Sequence, residues 1–85
     1  MSEQQINDRL NDLSAVINYD FYKDKRHFTA GEKICINQER GSLSDKLYVL
    51  KGEMSEGVAR EYKISENLEK KVQFVLNKLT NEKEY

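Results

Sequence analysis

The chain has 85 residues and a mass of 10.0 kDa, which suits a single domain with one modest hydrophobic core. Charged side chains make up 34% of it, and 14 basic residues against 15 acidic ones leave a formal net charge of −1. This balance argues against a DNA mimic, which needs a large negative excess, and against a strong non-specific nucleic-acid binder, which needs a positive one.

The sequence carries no signal for export or membrane insertion. Its first five residues hold neither a basic start nor an apolar run, so no signal peptide is predicted. The longest apolar run is the four residues 47–50, whereas a membrane helix needs roughly 20. A lone cysteine, Cys35, allows neither an intrachain disulfide nor a cysteine-based zinc cluster. We therefore expect a cytoplasmic protein without a membrane span.

An amphipathic helix is predicted at the N-terminus, because apolar residues recur there at steps of four, three and four. Ser2 can cap the start of this helix, and Gln5, three residues later, completes a capping-box pattern. The apolar stripe consists of Ile6, Leu10, Leu13, Val16 and Ile17.

A second amphipathic helix is predicted at the C-terminus. Ser65 is a natural N-cap, and Glu66 stands where the helix dipole favours an acidic side chain. We expect the last residues, 80–85, to fray. The apolar stripe consists of Leu68, Val72, Val75, Leu76 and Leu79.

The middle of the chain predicts β-structure. Residues 33–36 and 46–50 are short runs rich in branched and aromatic side chains, each bounded by turn residues. Alternation makes residues 58–64 a third candidate, although apolar positions in 54–62 also fit a helical step of four. The predicted fold is α+β: a small single domain over residues 1–85, with an N-terminal helix, about three short antiparallel strands and a C-terminal helix.

Turn and strand signals follow a familiar order between residues 28 and 53. Gly31 and Glu32 precede an apolar run, a Gly-containing acidic loop follows, and Leu-Tyr-Val-Leu-Lys-Gly-Glu closes the stretch at 47–53. This pattern resembles the first strands of a cyclic-nucleotide-binding or cupin-type β-roll, and the resemblance implies strands over 26 of the 85 residues. The residues after Glu53 are too few to complete a roll, and the family's Gly-Glu…Arg phosphate cassette has no counterpart, so ligand binding is not carried over.

The sequence holds no motif for catalysis, for a metal or for a cofactor. His27 is the only histidine, and no nucleophile or carboxylate stands at a spacing that marks a partner, so a loop or surface residue is expected. Cys35 lies between Ile34 and Ile36, which give a thiol no activation, so a small buried or half-buried apolar residue is expected. We predict that the protein is not an enzyme and holds no cofactor or metal.

Aromatic and basic residues alternate over residues 19–28, where Tyr22, Lys23, Lys25 and Arg26 follow one another closely. On surfaces that bind nucleic acid, such side chains stack on bases and neutralise phosphates. The alternative is a helix-to-strand connection whose aromatics fill the core while its cations face water. Three cations minus two acids leave a local charge of only +1, which favours this alternative.

The longest predicted loop covers residues 38–45. Arg40, next to Gly41 and Ser42, could hold an anion through its guanidinium and nearby backbone donors, although a solvated hairpin connection is the commoner outcome. Leu43 is the informative residue, because an apolar side chain at a loop tip either tucks under the loop or contacts a partner.

These features favour a non-enzymatic interaction protein, a regulator, inhibitor or adaptor that binds a protein partner. A nucleic-acid-binding module built on residues 19–28 is the alternative, and a steep dependence of binding on salt would distinguish it. We expect Leu43→Asp, and Lys25→Glu with Arg26→Glu, to impair binding without unfolding the protein. The candidate partner-binding residues are Tyr22, Lys23, Lys25, Arg26, Arg40 and Leu43.

Two further expectations concern assembly and origin. The two helical stripes exceed what one thin sheet can cover, and a homodimer would cover the remainder. The chain is rich in Lys, Asn, Glu and Ile and has no proline, which favours an AT-rich coding genome. A phage or mobile-element protein that targets a host factor fits that composition.

Overall fold

The described part of the chain folds into three α-helices. The computed structural model describes residues 1–23 and 27–83, and within them α1 spans Glu3–Tyr22, α2 spans Ala30–Leu50 and α3 spans Glu66–Lys83. These residues contain no strand, so the predicted α+β class with antiparallel strands is wrong. The domain is all-helical and measures 41 × 29 × 22 Å.

Both amphipathic helices predicted from the sequence are confirmed. Ser2 Oγ accepts a hydrogen bond from Gln5 N at 3.2 Å, and Gln5 Oε1 accepts one from Ser2 N at 2.8 Å, which is the predicted capping box. At the start of α3, Ser65 Oγ accepts a hydrogen bond from Leu68 N at 3.2 Å. The predicted caps therefore set where α1 and α3 begin.

The hydrophobic core lies where α1 packs against both α2 and α3. Because the stripes of α1 and α3 pack into or against this core within one chain, they no longer supply the reason for expecting a homodimer. The buried apolar residues are Ile6, Leu13, Val16, Tyr19, Phe28, Ile36, Leu43, Ile64, Leu68, Val72 and Val75.

Helix α2 occupies the region in which the sequence predicted two strands. Thr29 Oγ1 accepts a hydrogen bond from Glu32 N at 3.1 Å, and Glu32 Oε1 accepts one from Thr29 N at 2.9 Å, so a second capping box starts this helix. Residues 33–36 and 46–50 both lie inside it. The same helix covers most of residues 28–53, so the resemblance to a β-roll does not extend to the structure.

A polar ladder of three buried side chains on α2, formed by Glu39, Ser42 and Asp45, holds the segment that follows the helix. Each accepts a backbone hydrogen bond from an alternate residue of that segment: Glu39 from Ile64 N at 3.0 Å, Ser42 from Tyr62 N at 3.1 Å and Asp45 from Arg60 N at 2.9 Å. Residues 60–64 therefore run antiparallel to α2. The backbone donors of this segment alternate as in a strand, but their acceptors belong to a helix, so the third strand was also wrong. Val58, Tyr62 and Ile64 do not share a buried face, because only Ile64 is buried.

Arg60 accounts for a glycine in the interior of α2. Its Nε donates a hydrogen bond to Asp45 Oδ2 at 2.8 Å, which places the guanidinium over Gly41. A Cβ at Gly41 would lie only 3.1–3.2 Å from the Arg60 guanidinium atoms. Gly41 was expected to mark a turn, and instead it makes room for this side chain.

A glycine in the left-handed region ends α2. Gly52 has a φ of 75°, and its N donates to Val49 O at 3.0 Å while Glu53 N donates to Tyr48 O at 2.9 Å. This pair of hydrogen bonds is a Schellman motif, in which a residue without Cβ avoids the steric cost of positive φ. The motif reverses the chain so that residues 60–64 can return along α2.

Candidate partner-binding surface

A fully buried carboxylate fixes the connection between α1 and α2. Asp20 Oδ1 accepts hydrogen bonds from His27 N and Phe28 N, both at 3.2 Å, and Asp20 Oδ2 lies 2.9 Å from Lys33 Nζ. Phe28 enters the core directly after these bonds. With its backbone held in this way, His27 presents its ring to α3.

His27 lies between aromatic rings of two helices and touches a lysine. Its ring centroid is 5.9 Å from that of Tyr19 in α1 and 6.0 Å from that of Phe74 in α3. Lys78 Nζ lies 3.3 Å from His27 Nε2 and 4.9 Å from the Phe74 ring centroid. An ammonium group can only donate, so His27 Nε2 is the acceptor in this contact.

Aromatic side chains lie exposed at the same end of the molecule. Tyr22 is 76% exposed, Phe21 is 59% exposed and Phe74 is 56% exposed. The rings of Phe21 and Tyr22 meet edge to face with centroids 4.8 Å apart, and the exposed Lys23 follows at the C-cap of α1. His27, Phe74 and Lys78 are joined by direct contacts, and Tyr19, which also contacts His27, precedes the exposed residues Phe21, Tyr22 and Lys23 at the end of α1. We call the set of Phe21, Tyr22, Lys23, His27, Phe74 and Lys78 the aromatic–basic surface.

A shallow depression of about 390 Å³ lies along α3 beside this surface. One of its lysines, Lys71, places Nζ 2.8 Å from Glu32 Oε2. The hydrogen bond from Lys71, together with the backbone hydrogen bond from Thr29, lowers the pKa of the Glu32 carboxyl below its ordinary value. The depression is lined by His27, Lys70, Lys71, Phe74 and Val75.

The structure brings together only some of the residues that the sequence proposed for partner binding. Tyr22 and Lys23 lie exposed next to each other at the end of α1, shortly after Tyr19, whose ring contacts His27. Lys25 and Arg26 lie outside the described residues. Arg40 lies elsewhere, ten residues along α2 and roughly 15 Å from the start of that helix. Its Nη1 donates a hydrogen bond to Asn37 Oδ1 at 2.9 Å.

Leu43 lies in the core and not at the tip of a loop. It was placed at the tip of a loop over residues 38–45, but these residues form part of α2. Its side chain is only 3% exposed and packs in the core. We therefore expect Leu43→Asp to unfold the protein, contrary to the expectation from the sequence. Residues 38–45 are helical, so the loop predicted around Arg40 is wrong.

Phe74 and Lys78 were missed by the sequence analysis. A usable signal was present, because Phe74 falls outside the apolar stripe of an otherwise amphipathic helix. A large aromatic side chain that is not needed for the stripe faces water, as Phe74 does here.

His27 and Cys35 are the two residues that the sequence analysis considered for catalysis or metal binding. His27 lies in the connection between α1 and α2, as predicted. Cys35 is half-buried against the core, also as predicted, although its neighbours do not share a face: Ile36 is buried and Ile34 is 59% exposed. Hydrogen bonding to Cys35 raises the pKa of Tyr62 above its ordinary value. Among residues 1–23 and 27–83, no three His, Cys, Asp or Glu side chains gather as metal ligands do.

Comparisons with protein-family models, with curated proteins and with solved structures found no match for this chain. None of the helices in the described ranges combines the length and apolar character needed to cross a bilayer. The function therefore has to be argued from the aromatic–basic surface itself.

Proposed function

We propose that this chain is a non-enzymatic interaction protein, a regulator, inhibitor or adaptor that binds a protein partner through its aromatic–basic surface. The observation that carries the proposal is the exposure of Phe74 beside Lys78 and His27, where no stripe or core requires an aromatic ring. A few anchoring side chains, often aromatic, supply most of the binding free energy at protein interfaces, and clustered exposed apolar groups mark such sites.

The surface is held on a rigid frame, which supports the proposal. Asp20, whose side chain is buried, accepts a hydrogen bond from the backbone N–H of His27, and Val72 and Val75 anchor the α3 segment that carries Phe74 in the core. Side chains that are already ordered lose less conformational entropy on binding. A preorganised aromatic–basic surface therefore suits recognition of one shape of partner.

Nucleic-acid binding is the second candidate, and one observation favours it. Lys78 lies over the Phe74 ring, and Lys70 is exposed one turn earlier on α3, so bases could stack while lysines contact phosphates. The formal net charge of −1 opposes it, because the rest of the protein surface repels a polyanion. A protein partner is thus the better-supported candidate.

The remaining parts of the proposal come from composition. A cytoplasmic site of action, and a phage or mobile-element origin with a host factor as the target, are the versions that the composition favours. A homodimer remains a prediction, but uncovered apolar stripes on the helices no longer support it.

The test is selection from a random peptide library displayed on particles, with the purified protein as bait. We expect enriched peptides that bind the wild type and lose binding to Tyr22→Ser/Phe74→Ser. Ile34→Ser is the matched control, because Ile34 is 59% exposed on α2, outside the aromatic–basic surface, against 56% for Phe74. Circular dichroism confirms that each variant is folded.

Two results would contradict the proposal. One is a selection that enriches no peptide for the wild type. The other is a set of peptides whose binding falls equally with Ile34→Ser, or not at all with Tyr22→Ser/Phe74→Ser. A thymidine oligonucleotide of about twelve residues serves as the nucleic-acid probe, and binding that collapses between low and moderate salt would favour the second candidate.

A further inference from the structure

The charge of Lys78 is the starting point for identifying the partner. The Lys78 side chain is half-buried, and its ammonium group lies 3.3 Å from His27 Nε2 and 4.9 Å from the Phe74 ring centroid, neither of which brings a negative charge. Both contacts orient the ammonium without neutralising it. A carboxylate placed above this group would therefore gain a charge-assisted hydrogen bond from a donor that is already in position.

Lys70, Phe74 and Lys78 follow one another at steps of four along α3. Side chains at this spacing share one face of a helix, and residues eight apart are separated by about 12 Å along the axis. The face thus presents an aromatic ring with one lysine a turn before it and another a turn after it. Lys71, the neighbouring lysine in the depression, is already paired with Glu32 and adds little to this pattern.

The complementary ligand has two carboxylates with an apolar side chain between them. In an extended peptide, residues four apart are separated by about 13 Å, close to the separation of the two lysines. An acidic residue, a spacer, an apolar residue, a spacer and a second acidic residue would therefore meet Lys70, Phe74 and Lys78 in turn. The formal net charge of −1 disfavours a nucleic-acid strand at this pair of cations, because the rest of the protein surface repels a polyanion.

Building on the proposed function, we infer that the partner docks through an acidic segment in which two carboxylates bracket an apolar side chain. The carboxylates bind Lys70 and Lys78, and the apolar side chain packs on Phe74. This inference concerns the chemistry of the partner's segment. The proposed function concerns only the surface of this chain that the segment covers.

The test examines the peptides enriched in the selection described above, using the full chain as bait. We expect a pattern of acidic, any, apolar, any, acidic, and about tenfold weaker binding to Lys70→Gln/Lys78→Gln, in line with the loss of two partly exposed ion pairs. Lys51→Gln is the control, because Lys51 is an exposed lysine at the far end of α2. A synthetic peptide with Gln in place of both acidic residues should bind as weakly as the double variant does.

The outcomes separate the two proposals. Enriched peptides that are neutral or basic, or that bind Lys70→Gln/Lys78→Gln as well as the wild type, would overturn the acidic segment while leaving the aromatic–basic surface in place. Peptides whose binding is unchanged by Phe74→Ser, or a selection without any enrichment, would overturn both the acidic segment and the proposed function. Tighter binding of the thymidine oligonucleotide than of any peptide, lost in the same lysine variant, would assign the surface to nucleic acid instead.

Discussion

Arg9 of α1 and Glu39 of α2 are joined by a hydrogen bond of 2.7 Å from Nε to Oε2, and the same guanidinium also binds Glu69 of α3. One side chain of α1 therefore connects the three helices of the described chain. Burial alone would lower the pKa of Arg9, but hydrogen bonds to Glu39 and Glu69 outweigh it and raise the pKa above its ordinary value. Glu39 also accepts the backbone N–H of Ile64, so the segment before α3 is tied to the same carboxylate.

Removing the Glu39 carboxylate should strongly destabilise the protein. Glu39→Ala leaves Arg9 with one partner in place of two and leaves Ile64 N without its acceptor. We expect a loss of about 3–5 kcal/mol in the free energy of unfolding, measured by urea titration followed by circular dichroism. Glu56→Ala, an exposed control, should change it by less than about 0.5 kcal/mol. A loss below about 1 kcal/mol for Glu39→Ala would show that this contact does not organise the fold.

The pair of Asp45 and Arg60 should make stability fall in acid. Hydrogen bonds from the side chain and backbone of Arg60 lower the pKa of Asp45 from 3.8 to about 2. A lowered pKa in the folded state stabilises that state fully above the unfolded value, so this contribution is lost as the pH falls from about 4 to about 2. Asp45→Asn removes this titration, so its urea midpoint should fall less steeply over that range. Parallel profiles for the two proteins would contradict the assignment.

Leu43 should behave as a core residue. Leu43→Ala leaves a cavity between α2 and its neighbours, and we expect a loss of about 2–5 kcal/mol in the free energy of unfolding. Leu43→Asp buries an unpaired charge and should abolish the helical circular-dichroism spectrum. Ile34→Ala, nine positions earlier on the exposed face of α2, should shift stability by less than about 0.5 kcal/mol. A folded Leu43→Asp variant with normal thermal stability would contradict the burial of Leu43 in the core.

Two glycines in the segment after α2 should respond differently to the same change. Gly52→Ala forces a Cβ into the left-handed region at φ 75°, which should destabilise the protein by about 1–2 kcal/mol. At Gly57, an added Cβ would meet nothing closer than Ser55 Oγ at 3.9 Å, so Gly57→Ala should be neutral or slightly stabilising. Thermal unfolding of the two variants side by side gives the comparison, and equal effects would mean that the Schellman motif does not set the end of α2.

The sequence predicts α1 and α3 because each carries a regular apolar stripe behind a Ser cap. The sequence does not predict α2, because the polar residues Glu39, Ser42 and Asp45 occupy buried positions on that helix and interrupt its apolar stripe. Their hydrogen bonds to residues 60–64 satisfy them, and these long-range contacts leave no trace in local periodicity. One local signal did exist, since Thr29 and Glu32 have the spacing of a capping box.

The aromatic–basic surface could be predicted only in part, because its residues come from distant parts of the sequence. Tyr22 and Lys23 belong to a run of aromatic and basic residues that stands out in the sequence. Phe74 and Lys78 are about fifty residues away, and only the packing of α3 against α1 and His27 brings them to the same end. Arg40 and Leu43 were chosen because their stretch was taken for a loop, and the helical state of that stretch removes the reason.

The most direct test of the aromatic–basic surface is amide chemical-shift mapping of isotope-labelled protein titrated with an enriched peptide. The account predicts that the largest shifts fall in residues 19–23, at His27 and in residues 70–78. Exposed apolar residues also occur at the opposite end, including Met1, Leu50 and Val58, and they provide the competing site. Largest shifts at that end, with residues 70–78 unchanged, would contradict the account.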